Sequence, residues 1–485
     1  MAYNSVLLER RKVLHEHTAR AIEQLYHDRL DEYYSELAHH YSRSGNTETA
    51  VEYLHLAGQQ AVQRSANAEA VTYFTTALEF LQTLADTSER VQQELTLQLA
   101  LAAPLSVTKG LAAPEVGAVR TRALELCRQV GETPQLFSAL WGARSFYLMR
   151  AEFQTARDLA ERLVLLAQQA QDPTLLLEAH TGLGSVLLSL GELGSARIHF
   201  EHALALYDPR QRRASIAHYG GDIGSSSVPA LAQVLWLLGY PDQARKRSHE
   251  ALTLAQEIAH PFSTAVVWMM NTWVYQFLHA ARAVQREAEA LVTLSHEQGL
   301  STLRVGTILH GWALAEQGQV KEGIKEIQQG LAAHRAGGTE RSRPYYLALL
   351  AEAYGKAEQE EEGLTVLSEA LEAVERTGER MYEAELHRLK GELTLARSKV
   401  QSLKSQVTDP QGEAEACFHQ AIDSARRQQA KSWELRAIVS LARLWQQQGK
   451  TKEAHALLAE IYGWFTEGFD TKDLQEAQVL LGELR

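Results

Sequence analysis

The stretch Gly184-Ser-Val-Leu-Leu-Ser-Leu-Gly191-Glu-Leu-Gly-Ser-Ala196-Arg-Ile-His-Phe200-Glu-His-Ala203 carries three small residues, the second twelve positions after the first and the third seven beyond that. The same grid returns at Ala38/Ala50/Ala57, Ala232/Ala244/Ala251, Gly311/Gly323/Gly330 and Ala351/Gly363/Ala370. Ala442/Ala454/Ile461 keeps the spacing and ends in a larger side chain. Such a grid describes a tetratricopeptide-type helical hairpin. The first small residue sits on helix A and the other two on helix B, where two backbones approach too closely for large side chains. The expectation is an all-α, tetratricopeptide-like α-solenoid of antiparallel helical hairpins.

Helix A midpoints at Arg144, Gly184, Ala232, Thr272, Gly311, Ala351, Gly391 and Ala442 give a repeat of about forty residues. Two steps are longer, and each locates an insertion. The first contains Asp208-Pro209 through Ser227, and the second contains Ala396 to Gly412. The predicted organisation is irregular helical repeats over 31–130 and regular repeats over 131–208. An irregular loop at 209–227 follows, then regular repeats over 228–397 and a loop insertion at 398–411. A last repeat with a C-terminal capping helix fills 412–485. Residues 88–108 and 114–131 read as a helical pair split near Pro104 to Pro114. Gly191, Gly239, Gly318 and Gly449 fall between helix A and helix B, where a left-handed residue ends a helix. Pro241 opens the next helix without losing a hydrogen bond, and Glu360, Glu361 and Glu362 suit a helix N-terminus.

Composition narrows the function. The formal charge is −12 with no basic stripe, which disfavours nucleic acid. No apolar run is long enough to span a bilayer, so no membrane role is expected. Two distant cysteines, Cys127 and Cys417, exclude a disulfide framework, fit a cytoplasmic setting and read as buried packing residues. Gly449-Lys450-Thr451 has the tail of a phosphate-binding loop, but Leu444 stands where its first glycine belongs. The closest histidine pairs, His15/His17, His39/His40 and His199/His202, offer no third ligand. Neither catalytic residues nor a metal or cofactor site is expected, so the chain reads as a non-enzyme.

Phe74, Phe200 and Phe418 take the bulky helix B position of the hairpin and are expected in the core. Other side chains register on the face that lines a solenoid's concave groove: Glu178, Gln233, Trp236, Trp312, Tyr345, Glu352, Glu385, Arg388, Arg436 and Arg443. Aromatic and arginine residues there are candidate anchors for a protein partner offering a peptide or helix. The Lys/Asn pattern that clamps a chaperone C-terminus is missing. The loop residues Tyr219, Gly220, Gly221 and Asp222 are candidates for holding a ligand through backbone N–H groups, with a hairpin spacer as the alternative.

Several stretches carry a family likeness: Arg343-Pro-Tyr-Tyr-Leu-Ala-Leu-Leu-Ala-Glu-Ala-Tyr354, Glu383-Ala-Glu-Leu-His-Arg-Leu-Lys-Gly-Glu392 and Ser440-Leu-Ala-Arg-Leu-Trp-Gln-Gln-Gln-Gly449. Tyr462-Gly-Trp-Phe-Thr-Glu-Gly-Phe-Asp-Thr471 and Leu237-Leu-Gly-Tyr-Pro-Asp-Gln-Ala244 belong with them. The chain resembles the C-terminal tetratricopeptide region of bacterial STAND-type signalling ATPases, proteins associated with adenylate or guanylate cyclases. The resemblance implies that 1–30 is a remnant of the end of an ATPase helical/winged-helix region. It also implies a regulatory sensor module whose partner is a separately encoded ATPase or cyclase. A second implied role is a small-molecule inducer sensor, as in related activators. Neither cyclase nor ATPase motifs are present. Where similar proteins place proline after the loop aspartate, this chain has Ile223.

Overall fold

The computed structural model describes residues 8–131, 135–212, 215–216, 220–258, 260–401 and 409–485. Among these residues there are twenty-three α-helices and no strand. They divide into two compact units, residues 1–146 with 211–221, and residues 147–210 with 222–485.

The first unit is built from α1 (Leu8–Leu25), α2 (Tyr34–Ser44), α3 (Thr47–Gln63), α4 (Asn67–Leu81), α5 (Ser88–Lys109) and α6 (Pro114–Val130), with most of α7 (Gln135–Met149). Successive helices α1 to α6 pack on one another. Phe74 of α4 is buried against Gly58 of α3, where an added Cβ would sit 2.5 Å from the ring. Gly117 of α6 makes the same room for Phe146. The helical pair expected over 88–108 and 114–131 is present, and its break falls between Lys109 and Pro114. Helix α5 runs through Pro104 to Lys109 and ends at Gly110, with φ +96°, before Pro114 opens α6. Proline costs a helix one internal hydrogen bond, and the buried neighbours Ala102, Ala103, Leu105 and Val107 keep the chain helical regardless.

The second unit continues with α8 (Phe153–Ala170), α9 (Pro173–Leu190), α10 (Leu193–Leu206), α11 (Ser227–Leu237), α12 (Pro241–Ile258), α13 (Pro261–Phe277) and α14 (Ala281–Glu297). Then come α15 (Leu303–Glu316), α16 (Val320–Ala336), α17 (Arg343–Lys356), α18 (Glu360–Thr377), α19 (Glu383–Gln401), α20 (Pro410–Gln428), α21 (Lys431–Gln447), α22 (Thr451–Tyr462) and the terminal α23 (Lys472–Glu483). Helix α19 thus carries on to Gln401, and α20 begins at Pro410, both inside the span expected as a 398–411 insertion.

The small-residue grid works as backbone contact. A Cβ on Gly323 would stand 2.4 Å from the Gly311 carbonyl oxygen, so α15 and α16 touch main chain to main chain. Gly184 and Gly391 face the buried rings of Phe200 and Phe418. Gly191, Gly239, Gly318 and Gly449 all have positive φ at the hairpin turns. Ala151, His279 and Glu358 hold equivalent left-handed turns without glycine.

The B helices are amphipathic, whereas the A helices are buried on more than one side. Every residue of α11 is buried, against six of the eighteen in α12. The later helices of this unit return onto the earlier ones. The Ser432 hydroxyl donates to the Trp236 carbonyl, and the indole of Trp433 meets that of Trp236 edge-on at 4.7 Å. The Glu467 carboxylate accepts from the backbone N–H groups of Asp242 and Gln243, each at 3.0 Å.

Candidate functional site

Because the A helices converge, the predicted groove face becomes the lining of an interior. Trp236, Trp312 and Tyr345 are each at most 2% exposed, and Glu178, Gln233, Glu385 and Arg436 are buried. Their groove register therefore does not make them a free surface. The reason is geometric: residues facing inward from α11, α13, α15, α17, α19 and α21 meet one another instead of solvent.

Helix α21 supplies the centre. The Arg436 guanidinium lies 4.9 Å and 5.0 Å from the ring centres of Trp236 and Trp433. Its Nε and Nη2 donate to the Asp473 carboxylate at 3.0 and 2.9 Å, and Nη2 also reaches the Phe277 carbonyl. Stacking plus a forked carboxylate bond is what makes a buried guanidinium tolerable. One helix over, Arg388 donates to both oxygens of Glu385 at 2.8 and 2.6 Å and pairs with Glu392 at 2.5 Å. Ser440 donates to Glu392 at 2.8 Å. Burial works against ionising Glu385, but Arg388 and Arg436 beside it hold its carboxyl below the usual range.

The chain of polar groups continues through Glu352, which accepts the Trp312 indole N–H at 2.8 Å. Burial, with the nearby Glu316 charge, pushes the Glu352 carboxyl up to about 7. His279, at the turn after α13 with φ +52°, adds an imidazole whose Nδ1 has no hydrogen-bond partner. Burial first, then the Arg436 charge, keeps this imidazole neutral far below its ordinary range.

These groups border a cavity of about 140 Å³ lined by His279, Arg388, Glu392, Arg436, Ser440 and Asp473, among others. A more open groove of about 410 Å³ between α21 and α23 shares Arg443, Lys472 and Glu476 with it. Arg443 and Lys472 keep more than half of their side-chain surface exposed there. Three predicted residues, Arg388, Arg436 and Arg443, thus meet at one mouth, with Glu385 and Trp236 directly behind Arg436. Tyr345 donates to Gln276 at 3.1 Å and Gln233 to the Met270 carbonyl at 2.7 Å, both deeper in the interior. Glu178 lies buried on α9.

Sequence reasoning missed His279, Lys472, Asp473 and Glu476. His279 occupies a turn position that glycine usually marks. The other three belong to α23, whose short amphipathic pattern announced a cap and gave no sign that its first turn would enter the site.

The loop candidates fare differently. Tyr219 lies outside the described residues. Gly220 and Gly221 are buried, and the Gly220 N–H already donates to the Ile216 carbonyl at 2.9 Å. Asp222 is buried, accepts the Tyr207 hydroxyl at 2.7 Å, and gives its N–H to the Ser263 oxygen at 2.8 Å. For Gly220 and Asp222 the exposed N–H groups expected here are corrected to internal bonding, because both residues are buried and their N–H groups are already taken.

Histidines cluster where the sequence showed only pairs. His180 and His199 meet Nδ1 to Nδ1 at 2.8 Å, with His202 beside them. Burial, then the neighbouring imidazoles, pushes His180 down to about 4. Among the described residues, no group of three or more side chains is arranged to hold a metal ion, and no helix is long and apolar enough to cross a membrane.

No family model matches the chain. It is 26% identical over 390 residues to an uncharacterized protein of Rhizobium meliloti (strain 1021). That match takes in 80% of this chain and 38% of the other, so the chain spans well under half the length of that relative. Among solved structures it is similar to a Rap protein complexed with competence and sporulation factor, with TM-score 0.51 and 12% identity over 82% of this chain and all of that one. It is likewise similar to the Cut9–Hcn1 hetero-tetramer of the APC/C, with TM-score 0.52 and 12% identity over 96% of this chain and 86% of that one. At such identities the likeness is one of fold, and the fold is a tetratricopeptide-like α-solenoid.

Proposed function

We propose that the chain is a non-catalytic protein-interaction and regulatory module whose second unit takes a partner segment at the α21–α23 mouth. One observation carries the reading: cationic side chains from three helices converge on an opening where Arg443 and Lys472 stay exposed. Val479 adds an exposed apolar contact on the same groove. Glu476 pairs with both Arg443 and Lys472, and Glu483 lines the same groove. A segment with apolar side chains and charges of both signs fits such a rim, its carboxylates exchanging with Glu476 and its apolar side chains buried on Val479. The solved neighbours support the reading, since both were captured with another molecule.

The partner we place first is a signalling ATPase or cyclase, supported by the family likeness of residues 237–244, 343–354, 383–392, 440–449 and 462–471. That the curated relative is much longer than this chain agrees with an array that works beside further domains. The setting we assign is the cytoplasm, supported by the free thiols of Cys127 and Cys417. A photo-crosslinker at Gln475, in the groove, should capture such a partner, whereas one at Glu297 on α14 should not. Reversing both charges, Arg443→Glu with Lys472→Glu, should weaken binding roughly tenfold or more. Equal capture at both positions, with affinity unchanged in the double variant, removes the assignment.

A further inference from the structure

The first unit encloses a cavity of about 370 Å³ that α3, α4, α5, α6 and α7 build together. One wall is apolar: Val62, Phe74, Leu99, Ala100 and Ala103. Gln59 and Gln63 are exposed at its rim, whereas Phe74, Ala103 and Ser138 are buried at its floor, so the cavity opens toward Gln59 and Gln63. Its volume is that of a small-molecule site.

Arg120 of α6 reaches into this space. No carboxylate lies within ion-pair distance of it among the described residues, burial is the one influence on its guanidinium, and its Nε is buried without a hydrogen-bond acceptor. Burial alone pushes its guanidinium down to about 10, so it stays charged at neutral pH. The head group rests on α7 at Gly142, where an added Cβ would lie 2.0 Å from Nη1. Any larger residue there would displace it. Arg120 is half-buried with its Nε fully out of solvent. A charge set that deep without a counter-charge is costly to keep, and a guanidinium kept only for packing would ordinarily find a carbonyl or carboxylate.

We propose that this cavity binds a small amphiphilic monocarboxylate, its carboxylate on Arg120 and its hydrocarbon body along the apolar wall. A single guanidinium matches one carboxylate in a forked pair, whereas a doubly charged phosphate would call for more positive charge than the cavity holds. The site lies wholly within the first unit and stands or falls separately from the α21–α23 mouth.

The test uses the full chain and four probes, octanoate, octanol, octylamine and inorganic phosphate, with binding read by calorimetry. Octanoate should bind most tightly. Arg120→Gln should weaken octanoate roughly tenfold or more while leaving octanol unchanged. Should that variant fail to fold, Ala100→Trp blocks the apolar wall with Arg120 intact and should abolish octanoate binding. The proposal is overturned if no probe binds, if octanol or phosphate matches octanoate, or if octanoate binding survives the substitutions.

Discussion

Arg120 in the first unit is half-buried and Arg436 in the second is buried, and their surroundings differ in kind. Arg436 is stacked between two indoles and forked onto Asp473, with Glu385 at 3.8 Å. Arg120 has a cavity with one apolar wall on one side and the backbone of Gly142 on the other. A charge with all its partners fixes one packing arrangement, and removing a partner is punished. A charge without partners is a standing demand for one. The second unit has internalised its charges as a fastener between early and late helices. The first has left a charge for something else to answer.

The largest test of that contrast is to strip one partner from the second unit. Glu385→Ala leaves Arg388 without its forked carboxylate and should cost about 3–5 kcal/mol in chemical unfolding. Arg120→Met should change stability by no more than about 1 kcal/mol, and in the stabilising direction if the desolvated charge is purely a cost. Equal losses in both variants would break the comparison.

A middle-sized effect separates the helix contacts of the two units. Gly323→Ala forces a methyl against the Gly311 carbonyl, and neither backbone can yield cheaply. A loss of about 1–3 kcal/mol is expected despite the better helix propensity of alanine. Gly58→Ala in the first unit meets only the Phe74 ring, which can turn aside, so its thermal shift should be smaller.

The smallest effect is a pH dependence. Glu352 titrates near 7 when folded, above its ordinary 4.5. The stability it gives by staying protonated is complete below about pH 4.5 and is lost as pH rises through 7. Glu352→Gln keeps an oxygen acceptor for Trp312 and cannot ionise. Its melting temperature should exceed that of the parent at pH 8, with the gap closing toward pH 4.5. A gap independent of pH would mean that the Glu352 carboxyl titrates alike in the folded and unfolded chain.

Much of the architecture was legible in the chain. The twelve-and-seven grid set Gly311 against Gly323, and Phe200 was legible as a core residue, because close helix contact tolerates few residue types and so leaves a local mark. Turn glycines were legible for the same reason, since positive φ selects them. The helical pair on either side of the 110–113 break was legible too, and Pro104 stays inside its helix because a proline's local penalty can be outweighed by burial of its neighbours. The site was only half legible. Arg388, Arg436 and Arg443 were nominated by helix register, which fixes the direction in which a side chain points and not what it meets there. Arg120 gave no signal, being one arginine among several on a helix whose neighbours decide whether it is paired.

Periodicity alone determined that helices pair, how long each hairpin is and where small residues must stand, since these follow from contacts between segments adjacent in the chain. Whether the inward faces of the second unit stayed open or met one another was decided only by tertiary structure. That outcome rests on small turns accumulated from hairpin to hairpin, which bring Trp236 to Trp433 across nearly two hundred residues. No local pattern encodes that sum, and it is what turned an expected docking groove into an interior with a charged mouth.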